Sequence, residues 1–311
     1  MDKIKKILIT GCGGMLGKAI YETFSKEFRV LATDIDINEP WLKYLDVRKY
    51  DLVKKAIEQF KPDIIFHLAA LTDLEFQEKN PDEAYKTNAL GTENVVLLAK
   101  EHDVPLFYIS TAGIFDGQKD LYDDFDAPNP LSAYGKSKYY GENLVKQHLE
   151  KYFVIRPGWM MGGGKKDKKF VQKITKQIRE GNTVLNVVEN VYGTPSYTYD
   201  IAKTMRELIK TPFYGVYNCV CGGGRVSRYD VALEIVRFLG LKDKIRVNKV
   251  YSDFFASDFF APRPRSEALI NKKLNIRGLN KMRDWRECLA EYLEKEFKDV
   301  KENNTHDVFP Q

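Results

Sequence analysis

A glycine-rich turn close to the N-terminus constrains the fold of this chain more than any other feature. Lys6–Thr10 is a short, mostly apolar run typical of a buried strand, and a helical pattern extends from the turn to about Lys26. The turn between them, Gly11–Gly17, has the sequence Gly-Cys-Gly-Gly-Met-Leu-Gly. A strand, a glycine turn and a helix in this order form the context of a dinucleotide-binding fingerprint, because the helix N-terminus offers unpaired N–H groups to phosphates.

The glycines of this turn have separate predicted roles. Gly11 permits the tight turn, Gly14 lets the backbone approach a pyrophosphate, and Gly17 lets the helix pack close to the strand. Met15 and Leu16, at the start of the helix, complete the predicted cofactor contacts. An ordinary strand-to-helix turn is the alternative explanation, and an acidic residue at the end of the next strand argues against it.

That acidic residue is Asp34, which follows the predicted strand Arg29–Thr33. A carboxylate at this position is placed to accept hydrogen bonds from the adenosine ribose hydroxyls, and it repels a 2′-phosphate. We therefore predict NAD(H) or NADP(H) as the cofactor, with NAD favoured. Asp46, before the next helix, has two equally weighted interpretations: a contact to the adenine amino group, or a helix-cap or turn residue.

The first half of the chain alternates short β-branched runs with helical patterns. Strands separated by helices predict an α/β fold with a doubly wound parallel sheet, because right-handed crossovers place helices on both faces. The further predicted strands are Asp63–His67, Pro105–Ser110 and Phe153–Arg156, and the further predicted helices are Asp51–Phe60, Asp82–His102 and Leu131–Glu150.

The pattern changes after Arg156, where the elements become less regular. Val184–Val188 and Val216–Val220 resemble strands able to rejoin the sheet, so the second lobe is predicted to be interleaved with the first. We predict a cofactor-binding core over residues 1–156, a smaller C-terminal substrate lobe over 157–300, and a polar tail over 301–311.

Composition limits the class of protein. Hydrophobic residues make up 43% of the 311 residues, enough for a substantial core, and no apolar run is long enough for a secretory or membrane segment. The net charge of +5 is mild and dispersed, which favours an anionic small molecule over nucleic acid. We predict a soluble, cytoplasmic protein with neither a membrane nor a nucleic-acid partner. The cysteines have no metal or disulfide spacing, and Cys219 and Cys221 are expected to be core residues.

A tyrosine and a lysine share one face of the helix after the fourth predicted strand. Tyr134 and Lys138 are four residues apart, and Thr111 follows directly on that strand, at the edge where α/β folds bind ligands. The trio suits hydride chemistry, in which Thr111 holds a carbonyl oxygen and Tyr134 donates a proton to it. The Lys138 ammonium and an oxidised nicotinamide are expected to lower the Tyr134 pKa from about 10 towards neutrality. Asn88, in the preceding helix, either orders a water relay or makes a structural hydrogen bond.

Together these motifs resemble the extended short-chain dehydrogenase/reductase superfamily and, within it, the dTDP-4-dehydrorhamnose reductase family. The resemblance covers nearly the whole chain. Its further motifs are His67-Leu68-Ala69-Ala70 with Thr72, Asn88-Ala89-Leu90-Gly91-Thr92, Ser110-Thr111, Phe115-Asp116-Gly117, Arg156-Pro157-Gly158-Trp159, Gly193-Thr194-Pro195-Ser196, Asp200-Ile201-Ala202 and Arg263-Pro264-Arg265-Ser266.

The resemblance implies a Rossmann core with a small sugar-nucleotide lobe. It implies reduction by NAD(P)H of the C4 ketone of a nucleotide-linked 4-keto-6-deoxy sugar. In that reaction Tyr134 is the proton donor, Thr111 orients the ketone, and Lys138 anchors the nicotinamide ribose. The implied cofactor contacts are Ala69 and Ala70, and the implied substrate contacts are Thr72, Trp159, Arg263 and Arg265.

Three further features have open interpretations. The loop over residues 165–169, with four lysines, either fits a diphosphate or is a solvated run of charge. Arg263 and Arg265 either bind phosphate or cap a turn, and their rigid presentation by proline favours binding. The helices Asp82–His102 and Leu131–Glu150 are candidates for the contact of a homodimer.

The chain departs from the family pattern after Thr111. Residues 112–115 are Ala-Gly-Ile-Phe where family members usually have Asp-Tyr-Val-Phe, which removes a substrate-side tyrosine, and Phe76 lies where relatives commonly have lysine. A different substrate from the rhamnose precursor is therefore open. A 4,6-dehydratase needs Asp-Glu directly after the threonine, so the sequence argues against that activity. A nucleotide-sugar 4-epimerase and a non-catalytic regulatory subunit of the same fold stay as alternatives, and the Arg-Pro-Arg-Ser motif favours the reductase.

Overall fold

A computed structural model describes residues 4–298, which form thirteen strands and eleven α-helices. A π-helical stretch joins α4 to α5. The strands are β1 (Lys6–Thr10), β2 (Arg29–Asp34), β3 (Lys43–Tyr44), β4 (Ile64–His67), β5 (Leu106–Ile109), β6 (Tyr152–Arg156), β7 (Trp159–Met161), β8 (Val184–Val188), β9 (Tyr192–Gly193), β10 (Pro195–Tyr197), β11 (Gly215–Asn218), β12 (Val226–Ser227) and β13 (Arg246–Val250). The helices are α1 (Met15–Phe24), α2 (Tyr50–Phe60), α3 (Leu74–Lys79), α4 (Pro81–Ala84), α5 (Gly91–Glu101), α6 (Ala133–His148), α7 (Phe170–Arg179), α8 (Thr198–Leu208), α9 (Arg228–Phe238), α10 (Lys272–Ile276) and α11 (Trp285–Glu296).

Seven parallel strands form the main sheet, in the order β3-β2-β1-β4-β5-β6-β11. In β1, Leu8 lies beside Leu31 of β2 on one side and beside Ile65 of β4 on the other. Strands β2 and β3 extend the sheet on one side of β1, and β4, β5, β6 and β11 extend it on the other side. The crevice at the carboxyl ends of β1 and β4 is the usual ligand position in such a sheet. The doubly wound α/β fold predicted from the sequence is therefore confirmed.

Helices cover both faces of the sheet because its strands are apolar on both sides. Ile7 and Ile9 face a core that also contains side chains of α1, α8 and α11, whereas Leu8 faces a second core shared with α2, α5 and α6. All three side chains are fully buried. This alternation follows from the two-residue repeat of a strand.

The second lobe rests on three short strand pairs, which are β7 with β10, β9 with β12, and β8 with β13. Asp200 of α8 is fully buried and accepts hydrogen bonds from the Arg283 guanidinium at 2.8 and 2.9 Å. This ion pair ties α8 to the segment that precedes α11. Over residues 4–298, no helix combines the length and the apolar character needed to cross a membrane.

Several sequence expectations differ from the structure in detail. Val216–Val220 contributes β11, which joins the main sheet beside β6, whereas Val184–Val188 forms β8 and pairs with β13 outside that sheet. The helix predicted over Asp82–His102 is interrupted by the π-helical residues Tyr85–Leu90. The division of the chain at residue 156 stays a prediction, and the polar tail 301–311 lies outside the described residues.

Candidate active site

The glycine turn leaves the start of α1 open. Gly11 has a φ of +71°, and a Cβ atom there would lie 2.3 Å from the backbone nitrogen of Ala69, so only glycine fits. A Cβ at Gly17 would lie 1.8 Å from the carbonyl oxygen of Cys12, which explains the close approach of helix and turn. At Gly14, the residue before α1, the nearest atom to such a Cβ is 3.6 Å away, and no side chain caps the helix. The start of α1 thus has no side-chain cap and open space beside Gly14, which suits the approach of a pyrophosphate.

The carboxylate of Asp34 lies against this turn. One of its oxygens accepts the N–H of Gly13 at 2.8 Å, and the other accepts the N–H of Asp36 at 3.0 Å. These two bonds fix the carboxylate beside the glycine turn, where a ribose contact requires it.

The lysine loop reaches the same region. Gly163 packs on the start of α1, since a Cβ there would lie 2.9 Å from the Cα atom of Met15. The Lys166 ammonium lies 3.0 Å from a carboxylate oxygen of Glu39. Part of the loop expected to meet a substrate diphosphate is thus on the cofactor side of the molecule.

Asp46 is buried and engaged by its neighbour Arg48. The Arg48 guanidinium donates at 2.8 and 2.9 Å to the two carboxylate oxygens, and the Arg48 backbone N–H donates at 3.0 Å. The hydrogen bond from Arg48 holds the pKa of the Asp46 carboxyl below its usual value. These contacts support the interpretation as a turn residue, and the contact to adenine stays a prediction.

The loop after β4 is held in place by buried polar side chains. Asn88 accepts the N–H of Leu71 at 2.8 Å, and its amide donates to the Leu71 carbonyl at 3.1 Å and to the Ser137 hydroxyl at 3.0 Å. Asn88 therefore links this loop, with Ala69 and Ala70, to the helix that carries Tyr134. This supports its structural role, and the water relay stays a prediction.

Tyr134 lies in the first turn of α6, which begins after a serine cap. The Ser132 hydroxyl accepts the N–H of Gly135 at 3.1 Å. Burial raises the pKa of Tyr134 to about 12, opposed by a hydrogen bond from the Thr111 side chain and supported by the charge of Glu267. Burial thus outweighs the effect of the Thr111 side chain on the Tyr134 pKa. The lowering of this pKa expected beside an oxidised nicotinamide stays a prediction. A protonated phenol is the form that donates a proton to a ketone.

Lys138 lies one helical turn after Tyr134 and is almost completely buried. Its ammonium nitrogen is 4.2 Å from the centre of the Tyr108 ring. Burial lowers the pKa of Lys138 to about 7, and the carboxylate of Glu142 works against this effect. Lys138 is thus poised to change charge near neutral pH.

Glu267 is a site residue that sequence reasoning missed. The indole N–H of Trp159 donates to one of its carboxylate oxygens. Its other oxygen lies 3.7 Å from the point that a Cβ of Gly113 would occupy, and the Thr111 hydroxyl oxygen lies 3.5 Å from the same point. Burial raises the pKa of the Glu267 carboxyl, and Trp159 and nearby cations oppose this. A carboxylate therefore stands beside the Tyr134 and Thr111 pair.

Three cations surround Glu267. The Arg228 guanidinium stacks 3.9 Å above the Trp159 ring, Lys169 donates to the backbone carbonyl of Thr72 at 3.1 Å, and Arg263 donates to Glu75 at 2.6 Å. Each of these cations lowers the Glu267 pKa by its charge. The structure thus brings Trp159, Lys169 and Arg263 together, as the substrate predictions require, and adds Arg228.

Other predicted substrate residues are more peripheral. Thr72 is exposed, and its backbone carbonyl accepts a hydrogen bond from the Lys169 ammonium. Arg265 is exposed, and its carbonyl accepts the N–H of Tyr192 at 2.9 Å. The Arg-Pro-Arg-Ser motif directly precedes Glu267 and is the nearest sequence signal to it. Arg228 follows Ser227, whose hydroxyl caps α9.

A family model, the RmlD substrate binding domain, matches residues 5–297. The chain belongs to this family. The spore coat polysaccharide biosynthesis protein SpsK of Bacillus subtilis is 30% identical over 291 residues, 93% of this chain and 97% of that protein. A crystal structure of a dTDP-4-dehydrorhamnose reductase from Clostridium acetobutylicum is 34% identical, with a TM-score of 0.84, and covers 93% of this chain and 99% of its own. Another from Bacillus anthracis, in complex with NADP, is 30% identical, with a TM-score of 0.86, and covers 94% of this chain and all of its own.

Not every relative has the same name. Methionine adenosyltransferase 2 subunit beta of Danio rerio is 30% identical over 284 residues, which are 89% of this chain and 86% of that protein. A UDP-glucose 4-epimerase from Thermus thermophilus, in complex with NAD, is 19% identical with a TM-score of 0.77 and shares the fold. The chain is therefore a member of a Rossmann-fold oxidoreductase family that includes dTDP-4-dehydrorhamnose reductases and also proteins named as subunits.

Proposed function

We propose that this chain is an NAD(P)H-dependent reductase of the C4 ketone of a nucleotide-linked 4-keto-6-deoxy sugar. One observation carries the proposal: Tyr134, whose raised pKa keeps its hydroxyl protonated, lies beside Thr111 and one helical turn from a buried Lys138. These groups stand at the sheet edge that also holds the open glycine turn. The substrate of the reductases named above supports the choice of sugar.

The residues of the site have distinct tasks in this reaction. When bound, NAD(P)H supplies the hydride that reduces the carbonyl carbon. The Tyr134 hydroxyl donates a proton to the carbonyl oxygen. The Thr111 oxygen accepts the N–H of Gly113 at 3.1 Å, which orients this side chain. We propose that the Thr111 hydroxyl turns its proton from Tyr134 to the same carbonyl oxygen when the sugar binds. The Lys138 ammonium stabilises the phenolate that remains.

The cofactor is assigned to the glycine turn and the residues around it. The open N-terminus of α1, with Met15 and Leu16, suits the pyrophosphate, and Asp34 suits the adenosine ribose. Ala69 packs against Gly11, and we propose Ala69 and Ala70 as further cofactor contacts. We infer a preference for NADH, because the Asp34 carboxylate repels a 2′-phosphate.

The substrate diphosphate is assigned to the cations beside Glu267. Lys169, Arg228 and Arg263 supply positive charge around Glu267, and an arginine guanidinium can bind two phosphate oxygens at once. The indole N–H of Trp159 donates to Glu267 and Arg228 stacks on its ring, so the part of Trp159 proposed to meet the sugar is the ring edge near Glu267. Thr72 and Arg265 are proposed as outer substrate contacts.

Two alternatives and two further expectations remain testable. An epimerase recycles its cofactor, and a regulatory subunit, as in the relatives named methionine adenosyltransferase 2 subunit beta, requires a protein partner. We also propose a cytoplasmic homodimer, for which Leu90 of the π-helical stretch and Leu97 of α5 offer exposed apolar side chains. Light scattering of the purified chain measures the oligomeric state directly.

The reductase is tested by following NADH and NADPH oxidation against a panel of nucleotide-linked 4-keto-6-deoxy sugars. Tyr134→Phe is expected to lower kcat by on the order of 10²- to 10⁴-fold, the range for loss of a general acid. Tyr140→Phe, which removes an exposed hydroxyl from the same helix, is the matched control and keeps full activity. The proposal is contradicted if none of the sugars in the panel causes cofactor oxidation, or if Tyr134→Phe and Tyr140→Phe have equal rates.

A further inference from the structure

The backbone of Glu267 is fixed to a strand of the second lobe. Its N–H donates to the carbonyl of Tyr192 at 3.0 Å, and the Tyr192 N–H donates to Arg265 at 2.9 Å. Glu267 therefore lies on an ordered edge beside β9, and its side chain extends from this edge towards the carboxyl end of the main sheet. A group that must meet a substrate accurately requires such support.

The two oxygens of the Glu267 carboxylate have different surroundings. Oε1 accepts the indole N–H of Trp159. Oε2 accepts no hydrogen bond in the part of the chain that the structure describes, and it points to the space left by the missing side chain of Gly113. The Thr111 hydroxyl borders the same space. One carboxylate oxygen is thus oriented by protein and the other is available beside the reacting groups.

The charge of the Glu267 carboxylate and the charges of the cations around it limit which chemical group can bind to Oε2. A carboxylate accepts hydrogen bonds and repels anions, so its partner must carry a donor proton. The neighbouring Lys169, Arg228 and Arg263 repel an ammonium group at this position. A neutral hydroxyl satisfies both conditions.

We propose that Glu267 is a specificity-determining residue that accepts a hydrogen bond from the C3 hydroxyl of the keto sugar. The inference rests on the proposed function, in which Tyr134 and Thr111 hold the C4 carbonyl oxygen. The group that faces Oε2 then belongs to a carbon next to C4. In a 6-deoxy sugar C5 carries an apolar methyl group, so C3 is the neighbour that presents a hydroxyl.

The test is a cycle of two substrates and three proteins. The full chain, Glu267→Ala and Glu267→Gln are assayed with the keto sugar that the wild type reduces best and with its 3-deoxy analogue. A hydrogen bond to a charged group predicts that the wild type prefers the hydroxylated sugar by on the order of 10- to 100-fold in kcat/KM. In Glu267→Ala this preference falls to near unity, and Glu267→Gln, which keeps an acceptor for Trp159, gives an intermediate preference.

Controls separate recognition from folding. Melting temperature and cofactor titration show whether each variant is folded, and Glu287→Gln removes an exposed carboxylate from α11 and should leave the preference unchanged. An equal preference in the wild type and Glu267→Ala overturns the role of Glu267 while the reductase stands. A wild type that reduces no keto sugar overturns the proposed function and this inference together.

Discussion

Replacing Glu142 by glutamine tests the support of the catalytic helix. Glu142 of α6 is fully buried, and it accepts bonds from the Ser110 hydroxyl at 2.9 Å and from the Arg156 guanidinium at 2.5 and 3.1 Å. Arg156 is only 2% exposed, so the substitution leaves its charge buried without a counter-ion. Breaking a buried pair in this way costs about 3–5 kcal/mol. For a domain of this size that corresponds to a melting temperature lower by about 5–8 °C.

The assay is thermal unfolding followed by circular dichroism at one fixed scan rate. Asp103→Asn is the matched control, because it breaks an exposed pair with Lys151 and should cost at most about 1 kcal/mol. Replacing both partners, Glu142→Leu with Arg156→Met, should recover most of the loss, since no uncompensated charge is then buried. Equal melting temperatures for Glu142→Gln and Asp103→Asn would refute the reasoning.

Three further predictions concern the site itself. In Gly113→Ala the new methyl group would lie 3.5 Å from the Thr111 hydroxyl oxygen, an ordinary contact, so the free energy of unfolding should change by at most about 1 kcal/mol. The kcat/KM should fall on the order of tenfold, because the methyl group fills space proposed for the substrate. Unchanged kinetics would show that no substrate occupies that space. Asp34→Ser removes the charge that repels a 2′-phosphate and should shift the kcat/KM ratio towards NADPH by on the order of tenfold or more; an unaltered ratio would exclude Asp34 from cofactor choice. Tyr134 has a pKa of about 12 and so stays protonated near neutral pH, whereas Lys138, with a pKa of about 7, is cationic only below that pH. The kcat/KM for reduction should therefore rise as pH falls through 7, and Lys138→Met should abolish this pH dependence. A wild-type profile that is flat from pH 6 to 8 would contradict this prediction.

The features predicted correctly from the sequence depend on local patterns. The strand Lys6–Thr10 and the glycine turn are neighbours in the chain, so their relation follows from sequence order. The four-residue spacing of Tyr134 and Lys138 fixes their shared helical face in the same way. β3 was missed because two exposed residues carry no periodicity.

The features that were missed depend on contacts between distant segments. Glu267 accepts a hydrogen bond from Trp159, 108 positions away in the sequence, and no local motif predicts this contact. The pKa of Tyr134 is raised mainly by burial, which arises from packing and not from a local sequence pattern. The sequence left two interpretations of Asp46 open, because it does not show that the guanidinium of Arg48 binds the Asp46 carboxylate. That contact supports the interpretation as a turn residue.

The central claim is that hydride goes to C4 of a nucleotide-linked keto sugar and the proton comes from Tyr134. The most direct test supplies NADH or NADPH labelled with deuterium at the transferred position and examines the product by NMR. The account predicts one deuterium at C4 for each cofactor oxidised, with loss of the reaction in Tyr134→Phe. An epimerised sugar without net cofactor oxidation, or a product without deuterium at C4, would contradict it.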